Sequence, residues 1–204
     1  MKKSVLVIAM LFMGTTFMTA QEYIMFGAKG GVNFSNFAGD GFASFDEDSN
    51  ARTAYHLGLV AEIPLSERFS IQPEVLYSAQ GFDIVQIENG NDIEFQLDYI
   101  TIPVMAKLYI VEGLNIHAGP QFGFLVNSEI DYQPTNDAGD VPLDDENLNN
   151  FDMSLGLGAG YKFQSFFVYG RYNAGLTDIY ESPGATQGSE LKNSVIQVGV
   201  GFMF

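Results

Sequence analysis

The chain has 204 residues, of which 47% are hydrophobic and only 17% are charged, and it is rich in Gly (22), Phe (18) and Tyr (10). With 25 acidic and 9 basic residues its net charge is −16, which excludes nucleic acid as a partner because that partner requires a basic face. The absence of cysteine excludes disulfides and thiolate chemistry. Because the chain has only two histidines, His56 and His117, we expect no cofactor and no resident metal.

The first twenty residues have the pattern of an export signal. Two lysines precede an almost uncharged apolar run over 4–18, and small residues lead to a cleavage site after Ala20. A membrane-anchoring helix is the alternative, but an anchor needs about 20 apolar residues and Gly14 interrupts this run. We expect a signal peptide over 1–20 and one mature barrel domain over 21–204.

The mature chain alternates apolar residues with small or polar residues at period two, which indicates strands rather than helices. In 151–162, for example, the odd positions are apolar and the even positions are Asp, Ser, Gly or Lys. We predict eight strands, at 24–36, 52–64, 69–81, 95–110, 114–127, 151–163, 166–178 and 191–204.

The lengths and connections of these strands predict a transmembrane barrel. Each strand exceeds the average of about five or six residues and meets the about 9–11 residues that a tilted membrane strand needs. Short turns alternate with long polar loops, which are placed near 37–51, 82–94, 128–150 and 179–190. This arrangement is typical of an eight-stranded antiparallel up-and-down barrel with short periplasmic turns and long acidic extracellular loops.

The two-residue turn at 164–165 predicts a register for one hairpin. If Phe163 pairs with Phe166, Arg171 lies opposite Gly158, and one face of both strands is apolar. The glycine leaves room for the large inward side chain, as a narrow interior requires.

Several strands carry short motifs in a regular order. They are Lys29 and Asn33 in a glycine-rich first strand, Pro73-Glu74 and Tyr77 in the third, Tyr99, Pro103 and Lys107 in the fourth, Gly170-Arg171-Tyr172 in the seventh, and a terminal Phe204. Together these segments resemble the PorT-like outer-membrane β-barrel family. The resemblance covers essentially the whole mature chain. It implies an eight-stranded barrel in the outer membrane of a Gram-negative bacterium of the Bacteroidota type. PorT belongs to a protein-secretion apparatus, but the resemblance does not imply one activity.

Alternation turns a charged set towards the lumen, namely Lys29, Glu62, Glu74, Lys107, Asp152, Lys162 and Arg171. An eight-stranded barrel encloses side chains rather than a channel, so these charges must be paired. We expect Glu74 to be the partner of Arg171, with Asp152 as the alternative. A mixed-charge structural core is the favoured function of the set, and a proton or ion path is the other.

Two other classes of function remain open. A barrel enzyme acting on lipid, of the hydrolase or acyltransferase type, could use His56 with Ser78 and Glu74. A soluble periplasmic lipocalin-like ligand carrier is the second. The wide, aromatic apolar face of the strands favours an integral outer-membrane protein over the soluble carrier. Alternation points His56, Ser78 and Glu74 inward, away from lipid, so we favour a non-enzymatic protein with a structural or surface-interaction role, linked to secretion or envelope function.

The predicted loops, counted together with Asp178 at the edge of the last one, hold 18 of the 25 acidic residues. The simplest role of these acidic residues is to keep the loops soluble and to repel neighbouring molecules. Carboxylates also bind Ca²⁺, and the weak candidates for such a site are Asp46, Asp48, Asp144 and Asp145.

The final strand presents Val200, Phe202 and Phe204 on one face, which resembles the insertion signal read by the barrel-assembly machinery. The expected partners are therefore outer-membrane lipid, that machinery during insertion, and divalent cations at the loops. We expect a monomer.

Overall fold

A computed structural model describes residues 23–38, 50–86, 91–131, 140–142, 149–178 and 192–204. These residues form nine strands: β1 (Met25–Ala38), β2 (Asn50–Ser66), β3 (Phe69–Gln86), β4 (Asn91–Tyr109), β5 (Leu114–Asp131), β6 (Asp140–Pro142), β7 (Phe151–Phe163), β8 (Phe166–Asp178) and β9 (Lys192–Met203). The predicted signal peptide lies outside the described residues. Within them, no helix is long and apolar enough to cross a membrane.

Eight of these strands close into an antiparallel barrel. Neighbours in the sequence pair in turn, β1 pairs with β9, and β5 pairs with both β4 and β7. The short strand β6 pairs only with the loop end of β5 and stands outside the ring. The eight-stranded transmembrane barrel predicted from alternation is confirmed, and β6 is an addition that alternation did not predict.

The strands extend further towards the loop end than predicted. The ladder between β3 and β4 continues to the pair Gln86 and Asn91, so most of the predicted loop at 82–94 is strand and that prediction is wrong. In the same way β5 continues to Asp131, inside the predicted loop at 128–150. Backbone pairing between neighbouring strands sustains these ends, and the acidic and amide residues among them had favoured loops.

The hairpin of β7 and β8 has the predicted bounds and register. Phe163 pairs with Phe166, and Arg171 lies opposite Gly158. At the turn, Gln164 has a φ of 54°, the left-handed conformation that two-residue hairpin turns use. The register prediction is confirmed because the short turn leaves no freedom to slip.

The outer surface of the barrel is apolar and is arranged in bands. Exposed aromatic residues mark the short-turn end, namely Phe26, Phe163, Phe166, Phe202 and Phe204, and the loop end, namely Phe34, Tyr55, Phe124 and Phe151. Exposed aliphatic residues lie between them, namely Leu57, Val75, Val104, Ile116, Leu155, Leu157, Val168 and Val200. Two aromatic girdles around an aliphatic band are the lipid-facing pattern of membrane barrels. This distribution argues against the lipocalin-like alternative, since a soluble barrel carries apolar residues inside.

The lumen combines polar residues with a small apolar cluster near the short-turn end. That cluster contains Val60, Phe167, Tyr169 and Met203, with Met25 packed against it. Leu76 and Met105 are fully buried further up the lumen. These side chains occupy space that a pore would need.

Candidate functional site

Glu74 of β3 is the centre of a buried charge cluster in the lumen. Arg171 donates from its two terminal nitrogens to the two carboxylate oxygens at 3.0 and 2.7 Å. The ammonium of Lys29 donates to Oε2 at 2.9 Å, and the amide of Gln72 donates to Oε1 at 2.7 Å. Four donors therefore satisfy this carboxylate, and the paired fork of Arg171 is the strongest of its contacts.

The pair of Arg171 and Glu74 crosses the whole width of the barrel. In the ring of eight strands, β8 and β3 are four strands apart in either direction. Gly158, the register partner of Arg171 on β7, adds no side chain beside the guanidinium. The ion pair therefore closes the lumen at about the middle of the strands.

Glu62 of β2 is the centre of a second cluster, nearer the short turns. Its carboxylate accepts hydrogen bonds from Lys107 at 3.0 Å, from Tyr109 at 2.5 Å and from Ser70 at 2.9 Å. The ammonium of Lys162 lies 3.9 Å from the same carboxylate. Glu62 is 1% exposed, so these contacts replace the water that a carboxylate normally keeps.

Gln72 connects the two clusters. Its Oε1 accepts a hydrogen bond from Lys107 at 2.8 Å, while its Nε2 donates to Glu74. An amide fits this position because it presents an acceptor to a cation and a donor to a carboxylate. The two ion pairs are therefore parts of one network, which runs from the short-turn end to the middle of the lumen.

Asp152 lies apart from this network. Its carboxylate accepts a hydrogen bond from Thr177 at 2.8 Å, near the loop end of β7 and β8. The structure thus pairs Arg171 with Glu74, the partner that we favoured, and leaves Asp152 to a neighbouring hydroxyl.

The residues considered for lipid chemistry do not form a catalytic relay. Nδ1 of His56 lies 2.7 Å from Oδ1 of Asn33, and its Nε2 contacts the hydroxyl of Tyr169. Ser78 instead accepts a hydrogen bond from Asn33 at 2.9 Å. Because both ring nitrogens of His56 face other groups, neither is available to activate Ser78 in this arrangement.

The sequence interpretation missed Gln72, and it missed the contact that the inward-facing Tyr169 makes with Lys29. The ammonium of Lys29 lies 3.7 Å from the centre of the Tyr169 ring, a cation–π contact. Parity was the available signal, since residue 72 shares the face of Glu74, and Tyr169 shares the face of Arg171. Gln72 is uncharged, so a search for inward charges did not select it.

Among the described residues, neither histidine belongs to a group that could hold a metal ion. His117 contacts Asn115, with Nδ1 lying 3.2 Å from Oδ1. The described parts of the chain contain no group of three or more His, Asp or Glu side chains that could hold a metal ion. The weak calcium candidates Asp46, Asp48, Asp144 and Asp145 lie outside the described residues.

The last strand places the proposed insertion signal on the lipid face. Val200, Phe202 and Phe204 are exposed on the outside, whereas Met203 is 2% exposed and points inward. The backbone of Phe204 also pairs with Phe26, donating to its carbonyl at 2.8 Å and accepting from its amide at 3.1 Å. The terminal residue is therefore part of the barrel wall.

Three solved outer-membrane proteins are similar to this chain. The attachment invasion locus protein Ail of Yersinia pestis is 11% identical over 88% of this chain and 98% of its own, with a TM-score of 0.49. Neisserial surface protein A is 10% identical over 89% of this chain and 97% of its own, with a TM-score of 0.46. Outer Membrane Protein W of E. coli is 16% identical over 91% of this chain and 100% of its own, with a TM-score of 0.43.

The family comparison covers most of the sequence. No curated protein matches the chain. The sequence pattern of the family described as "Outer membrane protein beta-barrel domain" matches residues 19–181. The chain therefore belongs to the outer membrane protein beta-barrel domain family, and it is an eight-stranded barrel of the outer membrane.

Proposed function

We propose that this protein is a closed, non-enzymatic barrel whose lumen is a structural plug and whose external loops carry its interactions. The observation that carries this proposal is the ion pair of Arg171 and Glu74, which spans the lumen between opposite strands. A conduction path needs a continuous column of water, and these two side chains occupy its centre.

The cavities at the two levels of the lumen support a closed barrel. A cavity of about 480 Å³ opens at the short-turn end, where Glu62, Tyr109 and Lys162 line it. At the level of Lys29 and Arg171 the cavity volume is only about 10 Å³, which is about the room for one water molecule. The wide mouth therefore leads to a filled centre.

The proposal of a non-enzymatic role rests on the contacts of the polar lumenal groups. Glu74 is bound by two cations, His56 is bound to Asn33 and Tyr169, and the hydroxyl of Ser78 is bound to Asn33. A nucleophile needs a base within hydrogen-bond reach, and this set provides none for Ser78. The groups instead satisfy one another, as a structural core requires.

The external loops are the remaining candidates for interaction. They follow strands whose loop ends are rich in acid, including Asp83 of β3, Asp92 of β4 and Asp131 of β5. The surface facing outward therefore favours cations and basic partners over acidic ones. We propose divalent cations as ligands of these loops and a monomeric barrel as their support.

The finer family assignment is also part of this proposal. The residues that resemble the PorT-like family include Lys29, Glu74, Lys107 and Arg171, which are four members of the charge network. We assign the chain to a PorT-like branch with a role in secretion or the envelope. The test is whether the chain restores protein secretion in a bacterium that lacks its own PorT protein, and failure there despite normal assembly would reject this assignment.

The closed lumen is tested by recording currents from the purified barrel in planar bilayers. We expect no stable openings on the nanosiemens scale. The double variant Arg171→Ala with Glu74→Ala removes the central plug and should increase ion leakage, whereas Asp152→Asn, outside the network, should not. Reproducible large openings of the unchanged protein would overturn the proposal.

A further inference from the structure

We propose that one ordered water molecule occupies the small lumenal cavity beside Arg171 and bridges Nε of Arg171 to Nε2 of His117. The cavity has a volume of about 10 Å³ and is lined by polar groups that include Lys29, Lys107, His117 and Arg171. A volume of this size holds about one water molecule, provided that polar partners are present.

Two side-chain atoms at this cavity lack a partner within the described barrel. Arg171 uses both terminal nitrogens on Glu74, but its Nε is buried without a hydrogen-bond partner. Nε2 of His117 is likewise buried and unpartnered. Since Arg171 is 2% exposed and His117 is 5% exposed, bulk water does not reach either atom. Buried polar atoms are ordinarily satisfied, so each of the two needs a partner, and one molecule in the cavity that both residues line would serve both.

The hydrogen-bonding roles of the two atoms select water over an anion. The amide nitrogen of Asn115 donates to the carbonyl of Gly160 at 3.1 Å, so Oδ1 of Asn115 faces Nδ1 of His117. Nδ1 therefore carries the hydrogen, and Nε2 of the neutral ring is an acceptor. Nε of Arg171 is always a donor. A water molecule accepts from one and donates to the other, whereas chloride only accepts.

Gly158 leaves room beside Nε2 of His117. It lies between the two partners in one row of the sheet, paired with His117 on one side and with Arg171 on the other. A Cβ atom at this position would lie 2.4 Å from the backbone carbonyl oxygen of Gly170, 2.5 Å from Nε2 of His117 and 3.0 Å from Cα of Arg171. An alanine would therefore occupy the approach to Nε2.

Gly170 provides a matched control. It lies on the neighbouring strand and pairs with Ala159, but it is exposed on the outer face. A Cβ atom there would meet nothing within 4 Å. The two glycine-to-alanine changes thus add the same methyl group to opposite faces of one hairpin.

The test is nuclear magnetic resonance of the full barrel in detergent micelles. In the unchanged protein and in Gly170→Ala, we expect a cross peak between the Nε–H hydrogen of Arg171 and a long-lived water. We also expect the ring of His117 to carry its hydrogen on Nδ1. In a folded Gly158→Ala barrel that cross peak should fall at least fivefold. Absence of the cross peak from the unchanged protein overturns the proposal, and so does an undiminished peak in Gly158→Ala.

Two further measurements are needed. One replaces the Gly158→Ala test if that variant does not fold, and the other tests whether the site holds an anion instead of water. If Gly158→Ala does not assemble, His117→Leu removes the acceptor of the water and should weaken the same cross peak at least fivefold, while an unchanged peak overturns the bridge. Crystals grown in bromide should show no anomalous signal between Arg171 and His117. A bromide peak at that position would assign the site to a monovalent anion and overturn the assignment to water.

Discussion

Arg171 and Glu74 are 97 residues apart in the chain and approach from opposite walls of the barrel, yet they form a two-pronged ion pair at its centre. Each is almost completely buried, at 2% exposure. A pair of this kind is costly to break from one side, because the remaining charge is left in a medium that cannot solvate it. The contribution of this ion pair to stability can therefore be measured by replacing each residue alone and both residues together.

A double-mutant cycle should show strong coupling between these residues. We expect Arg171→Met and Glu74→Gln each to lower the free energy of unfolding by about 3–5 kcal/mol, and the double variant to lose less than the sum. Urea unfolding in lipid vesicles is the measurement. The matched cycle of Arg171→Met with Asp152→Asn should be additive, since Asp152 contacts Thr177 instead. Additivity in the first cycle would show that the ion pair does not contribute as a unit.

Two substitutions of Tyr169 should separate its hydroxyl from its ring. Tyr169→Phe removes the partner of His56 and should cost about 1–3 kcal/mol of unfolding free energy, because a buried ring nitrogen is left unsatisfied. Tyr169→Leu also removes the aromatic face beneath Lys29 and should cost more. Equal losses in urea unfolding would show that the cation–π contact adds nothing measurable.

Charged substitutions should reveal the membrane band. Leu157, in the middle of β7, is 63% exposed, and Leu65, beside a short turn, is 59% exposed. Leu157→Arg should cost about 2–4 kcal/mol in vesicles because it places the charge near the middle of the bilayer, whereas Leu65→Arg should cost about 0–1 kcal/mol. A barrel surrounded by water would tolerate both equally, and that result would contradict the membrane placement.

The terminal residue should control assembly more than its inward neighbour. Replacing Phe204 by Ser keeps its backbone pairs with Phe26 but removes the exposed aromatic ring, so we expect much less assembled barrel in the outer membrane. Met203→Leu preserves volume in the buried cluster with Val60 and Phe167 and should assemble nearly normally. The comparison is made by heat-modifiable migration of membrane fractions. Equal losses would argue against a signal on the outward face.

Calcium should protect the third loop if its acidic residues form a site. At millimolar Ca²⁺ we expect slower proteolysis within 128–150 than in NaCl of equal ionic strength. Variants with Asp144→Asn and Asp145→Asn should lose this difference. Identical protection by both salts would reduce the effect to screening of the negative loops.

The sequence by itself determined which face of each strand meets lipid. Side chains alternate across a strand, so parity alone turned Lys29, Glu74 and Arg171 inward and Leu157 and Val200 outward, as the structure has them. A two-residue turn likewise left one possible register for β7 and β8. These features are local, since each depends on residues that are close in the chain.

Only the tertiary structure decided which inward side chains meet. The partner of Arg171 depends on the number of strands and their stagger, which together bring β3 opposite β8. Gln72 joins the two ion pairs, and Tyr169 covers Lys29, because the closed wall brings distant strands within reach of one another. The loop ends of β3 and β4 were likewise decided by pairing between strands, which continues as far as Gln86 and Asn91.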